Sequence, residues 1–171
     1  DSITKYGKLC KGIDTGNNDL YIREWYEVLS TDSYQFTGSM KWVPFNKGGS
    51  YRKWYGNKEY VVYWENNGSQ IISDKKSNIR NKDYFFKDGL TWTLLNSGGN
   101  FGLRKLVDAC VFDANGLMMF LDKDKEDYLL GLLNSKVISA YLKILSSTMA
   151  FVLGDIKRLP IIISECEKVK K

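Results

Sequence analysis

The sequence has 171 residues and a formal net charge of +5, with 43% apolar, 26% charged and 14% aromatic residues. That length suits one ordinary domain with a real core, and the absence of histidine excludes any nucleophilic, zinc or general-base site that needs an imidazole. Three scattered cysteines (Cys10, Cys110 and Cys166) predict free thiols in a reducing, cytoplasmic setting, and no run approaches the roughly 20 apolar residues of a membrane span.

In chain order, "DSITKYGKLC" carries no apolar signal-peptide core. "KLCKGI" and "DLYIREWYEVL" read as strands flanking "DTGNN", where Gly16, Asn17 and Asn18 favour a turn. "KWVPFNKGGSYRKWYGNKEYVVYW" (41–64) is dense in both rings and cations. Its last part, "EYVVYWE", is apolar on both alternating faces and predicts a buried central strand. The polar run 66–83 reads as a long loop.

"YFFKDGLTWTLL" resumes strand character around a turn at Asp88 and Gly89, and "SGGN" interrupts it. "FGLRKLVDACVFDANGLMMFL" then predicts two or three short strands with "ANG" as a tight turn. "DKDKED" (122–127) interleaves acids with lysines and reads as a charged helix start rather than a catalytic carboxylate pair. From there apolar residues recur every three or four positions, with Asn134 and Ser135 as internal caps. "TMAFVLGDIKRLPIIIS" reads as extended, with a turn at Gly154 and Asp155 and Pro160 barring a helix through it. The charged tail "ECEKVKK" is expected to fray.

The expected fold class is therefore α+β. It comprises a twisted, mostly antiparallel or mixed sheet in the first two thirds, a helical pair near 124–146 and a short terminal extended segment, all in a single domain spanning 1–171. No phosphate loop, dinucleotide-binding glycine motif or metal-ligand cluster is present in the sequence, so no catalytic residue, cofactor or metal is assigned. The chain by itself is not expected to be an enzyme.

Three stretches have the ingredients of a nucleic-acid surface. In 46–55, Gly48 and Gly49 permit close approach to a phosphate, Lys47, Arg52 and Lys53 bring charge, and Trp54 and Tyr55 bring rings. An ordinary hairpin with a basic outer face accounts for the same residues. In 14–19, Thr15, Asn17 and Asn18 offer short polar groups for backbone or base edges, or simply form a turn. In 97–104, Ser97, Asn100 and Arg104 reach outward, or the glycines merely connect strands. The helices at 124–146 present an interaction surface or pack on the sheet.

Taken in order, "GIDTGNNDLYIREWYEV", "KWVPFNKGGSYRKWYGNKEYVVYWENNG", "DYFFKDGLTWTLLNSGGNFGLR", "FDANGLMMF" and "LLGLLNSKVISAYLKILSSTMAFVLGDIKRLPI" resemble the C-terminal, TaqI-like specificity region of the PglX family. That family comprises adenine-specific DNA methyltransferases of BREX phage-defence systems. The resemblance runs from about residue 9 to 162. It implies a target recognition domain that binds double-stranded DNA and works beside a methyltransferase domain of the same parent chain. Other defence-system subunits are further candidate partners, and no membrane is implied.

In the family, S-adenosylmethionine and an Asn-Pro-Pro-Tyr-type motif belong to a separate catalytic half. With Pro44 and Pro160 as its only prolines, this chain carries no such motif, and it is expected to be a fragment without cofactor. The alternatives are the specificity domain of a fused restriction endonuclease–methyltransferase, or a protein-interaction module docking a defence-complex partner.

Overall fold

The computed structural model describes residues 1–28, 40–95, 98–146, 148 and 150–163. Within the described residues eight strands form two sheets of four. β1 (Gly7–Cys10), β8 (Gly116–Leu121), β5 (Gly89–Thr93) and β6 (Arg104–Leu106) make the first, wholly antiparallel, in that spatial order. β2 (Ile22–Glu24), β4 (Tyr60–Tyr63), β3 (Trp42–Asn46) and β7 (Val111–Phe112) make the second, in which β3 and β7 run parallel. The α+β class read from the sequence holds, with two sheets in place of one.

Strand alternation layers the molecule. Leu117, Met119 and Leu121 of β8, with Leu90 and Trp92 of β5, pack against α3 (Lys123–Leu133), α4 (Lys136–Leu145) and α5 (Leu153–Arg158). Met118 and Leu106 face the opposite way, onto Ile22, Val43, Phe45 and Val62 of the second sheet. Trp92 is fully buried, and its indole N–H donates to the Phe151 carbonyl at 2.8 Å, so its ring adds burial without an orphaned donor. Between the sheets, Asn46 donates to Thr91 Oγ1 at 2.7 Å and to the Gly116 carbonyl at 3.1 Å, fixing the register of one sheet on the other.

β4 is the central strand predicted, with Val61 and Val62 both buried. The helical pair also forms as read. Asn134 ends α3 and Ser135 caps α4, accepting from the Ile138 N–H at 3.2 Å. The bend between the two helices is 74°.

Three local readings change. The stretch 19–29 is not one strand: its described part holds the end of α1 (Asn18–Tyr21), then β2 and the 3-10 turn Trp25–Glu27. The polar run 66–83 contains most of α2 (Glu65–Ser73), which begins left-handed at Asn66, Asn67 and Gly68 and is anchored by the fully buried Ile71. Gly154 and Asp155 lie within α5 rather than in a turn; Pro160 does stop the chain from continuing, since Leu159 before it is extended at ψ 135°. The terminal extended segment thus reduces to the residues after α5. Cys10 and Cys110 are buried free thiols, and burial pushes the Cys110 thiol up to about 12. Cys166 and the tail lie outside the described residues.

Candidate nucleic-acid interface

The connection from β3 to β4, residues 47–59, folds over the edge of the first sheet. Trp54 is set at φ 74°, and its backbone N–H donates to the Leu103 carbonyl at 2.9 Å while its carbonyl accepts from Lys105 N–H at 3.0 Å. The connection therefore satisfies one backbone group of β6 and one just before it, on an edge strand that would otherwise invite pairing. Gly102 makes this approach possible, because a Cβ there would lie 2.4 Å from the Arg52 carbonyl oxygen. Asn57, buried, donates to the Ser50 carbonyl at 2.9 Å and closes the loop on itself.

Rings and cations remain outside. Tyr51 is 44% exposed, Trp54 53% and Tyr55 64%. Arg52 is exposed. Lys58 lies 4.2 Å from the centre of the Tyr55 ring and forms an ion pair with Asp108; burial lowers the Lys58 pKa, and its hydrogen bonds with Asp108 and Tyr55 together outweigh that and raise it. Within "NKGGSYRKWYGN" the exposed part is thus residues 49–52, 54 and 55, while Asn46, Gly48 and Asn57 are buried, and "YVVY" is the core strand.

The structure divides the predicted residues into two groups. Asn18 and Lys47 line one shallow groove with Arg23 and Tyr60, and Lys47 sits 4.7 Å over the Tyr60 ring. Asp19, Glu24 and Glu27 share that groove, so it is not uniformly cationic. Asn17 caps α1, accepting from Leu20 N–H at 3.2 Å. The second group is Arg52, Lys53, Trp54 and Arg104, at the edge of β6. Gly48 and Gly49, at φ 89° and 117°, turn the chain where it leaves β3 for this loop. Asn100 is exposed in the connection leading to Gly102.

Three of the predicted contacts are engaged inside the protein. Thr15 is buried and donates its hydroxyl to Asn18 Oδ1 at 2.7 Å. Lys53 donates its ammonium to the Asn134 carbonyl at 2.5 Å, which ties the loop to the junction of α3 and α4. Arg104 is 1% exposed, and burial lowers its pKa to about 10, with Glu59 opposing that shift and Arg52 adding to it. Each was nominated for its polar head, a property that reports nothing about depth. Ser97 lies outside the described residues.

Trp25, 57% exposed, lies in the stretch that reads as a strand and is not among the predicted contacts. Trp25, Tyr55 and Tyr60 line a cleft of about 700 Å³, with Lys58, Asp88 and Asp108 as its polar groups. Glu24, N-cap of the turn Trp25–Glu27, begins the reciprocal hydrogen bonds of a capping box with Glu27, and the Glu-x-x-Glu spacing was the available signal that the strand ends there. Among the described residues no cluster of three metal-ligating side chains occurs.

No protein-family model matches the chain. It is 37% identical over 158 residues to the adenine-specific methyltransferase BrxX of Escherichia coli O9:H4 (strain HS), a match covering 89% of this chain and 13% of BrxX. It is 39% identical over 166 residues to the adenine-specific methyltransferase PglX of Lacticaseibacillus casei (strain Zhang), covering 88% of this chain and 14% of PglX. The chain is a relative of one segment of PglX/BrxX-type proteins. It spans only about an eighth of their length, and nearly the whole of it takes part in the match. Among the described residues no single helix is long and apolar enough to cross a membrane.

Proposed function

We propose that this chain is a DNA target recognition domain that directs an adenine-N6 methyltransferase of a phage-defence or restriction–modification system to its site. The observation that carries the reading is the pairing of that segment match with an exposed loop bearing Arg52, Trp54 and Tyr55. A methyltransferase that extrudes its target base needs another surface to choose the site, and cations, rings and amides suit that task. S-adenosylmethionine and methyl transfer are assigned to the remainder of the parent protein, and double-stranded DNA to this domain.

The test is duplex binding as a function of salt. Each phosphate contact contributes a log–log slope of about 0.9, so replacing Lys47 and Arg52 together should flatten the dependence by roughly 2. Replacing Lys53 should change it less, because its ammonium is held by Asn134. Salt-insensitive binding by the wild type, or an unchanged slope in the double variant, would overturn the reading.

A second reading has its own support. On α4, Val137, Tyr141 and Ile144 are 63%, 46% and 82% exposed and lie on one face, an apolar stripe suited to docking protein. It is compatible with DNA recognition, since another part of the parent protein would cover the stripe.

A further inference from the structure

Arg104 is a buried cation short of partners. It shares with Thr91, Thr93 and Leu106 the face of the first sheet turned toward the second. Of the donors a guanidinium carries, Nη2 makes one long hydrogen bond, 3.4 Å to Thr93 Oγ1, and Nε has no partner. Among the described residues no carboxylate forms an ion pair with it. Glu59 acts on it at longer range, and the neighbouring Arg52 repels it.

A buried, underbonded guanidinium is expensive, and an apolar side chain of similar volume would avoid the cost. Packing alone therefore does not account for a charge at this position. What covers it is also unusual. Thr93 Cγ2 would lie 3.2 Å from a Cβ at Gly48, so the side-chain-free turn at Gly48 and Gly49 is beside the arginine's one partner. Arg52 folds its aliphatic part against Gly56, where a Cβ would lie 2.7 Å from Arg52 Cδ. The loop thus keeps one guanidinium, Arg52, in solvent and close enough to the buried Arg104 for the two charges to repel.

We propose that Arg52 and Arg104, bridged by the 48–57 loop, form a site for one phosphate oxyanion, Arg52 binding it at the surface and Arg104 supplying a fixed charge beneath. The inference rests on the DNA reading for its occupant, a phosphodiester of the bound strand; inorganic phosphate shares the same chemistry. A rigid, poorly hydrated charge is already in place before binding, so the oxyanion gains attraction without ordering a second long side chain.

The experiment compares wild type with Arg104→Met and Arg52→Met. Thermal unfolding in phosphate is measured against chloride at matched ionic strength. The wild type should gain a phosphate-specific rise in melting temperature that both variants lose, while Arg104→Met keeps or raises the melting temperature in chloride. In duplex binding Arg104→Met should lower the salt slope by about 1, and phosphate should compete with DNA for the wild type. In parallel, the Arg104 Nε–H resonance of the wild type should shift on phosphate titration, a readout that stands if the Met variant fails to fold. An equal phosphate effect in wild type and Arg104→Met, or a general ion effect only, would overturn the site. If DNA fails to bind the wild type while phosphate still moves that resonance, the DNA reading falls and the anion site stands. DNA binding indifferent to Arg104→Met would remove the inference and leave that reading intact.

Discussion

The side-chain amide of Asn134 pairs with the backbone of Leu103 as another strand would, accepting from its N–H and donating to its carbonyl, each at 2.9 Å. The same Leu103 carbonyl accepts from Trp54 N–H, and the Asn134 carbonyl holds the Lys53 ammonium. One residue at the junction of α3 and α4 thereby joins the helices, the edge of the first sheet and the exposed loop.

Asn134→Ala should destabilise the fold by roughly 2 kcal/mol, because the buried Leu103 N–H loses its partner and the Leu103 carbonyl keeps only Trp54 N–H. Urea unfolding should show a lower midpoint with an unchanged slope. Duplex affinity should fall too, since Leu103, on which the loop is seated, is no longer tethered to the helix junction. A midpoint equal to that of wild type would mean that the paired hydrogen bonds contribute little.

Gly102→Ala tests the seating of the loop. The added methyl would meet the Arg52 carbonyl oxygen at 2.4 Å, within contact distance of main chain that cannot swing aside. A loss of about 1–3 kcal/mol is expected, as for other overpacked sites, with increased proteolysis within 50–56 as a local readout. Gly131→Ala is the control: nothing lies within 4 Å of a Cβ at Gly131, and stability should hold or rise.

Trp54→Ala removes an exposed ring from a residue whose backbone does the structural work. Removing the strained φ of 74° as well would require Trp54→Gly, which should be the more stable of the two variants. Both should lose duplex affinity, by about tenfold if the ring stacks or wedges on a base. Undiminished binding in both would exclude Trp54 from the contact.

Asp113 sets a pH dependence. Burial pushes its carboxyl up to about 6, against the Asn115 N–H at 2.6 Å and the field of Lys47, which both lower it. The folded state therefore binds the proton more tightly than the unfolded chain. The contribution of Asp113 to stability is most favourable below the ordinary aspartate range and diminishes as pH rises from about 4 to 6. Asp113→Asn keeps the acceptor for Asn115 and removes the titration. Its stability relative to wild type should grow across that window and then level off; a difference independent of pH would refute the assignment.

The periodic elements were legible because local pattern and tertiary role agree. "YVVY" is apolar on both faces and is a central strand, and "LLNSK" carries both the break and the caps of the helical pair. Strand character ends after Glu24 because Glu24 and Glu27 build a helical turn by reciprocal hydrogen bonds, which overrides the aromatic content of "EWY". The polar loop at 66–83 hid α2 because its helix rests on Ile71 more than on any amphipathic stripe. Pro160 correctly marked a stop, yet said nothing about the helix that precedes it.

The sequence by itself determined the α+β class, the exposed ring-and-cation connection between two core strands, and the relation to a segment of PglX/BrxX-type proteins. Those follow from periodicity, turn residues and residue identity, all of which are local. Depth was decided only in the tertiary structure. Arg52 and Arg104 are alike as residues, and Thr15 is as polar as Asn17. Yet strand alternation turns Arg104 toward the second sheet, and the loop seated on Gly102 seals over it while leaving Arg52 in solvent. Which cation meets a ligand first is a matter of which element packs on which, and that is settled by contacts between residues about fifty positions apart in the chain.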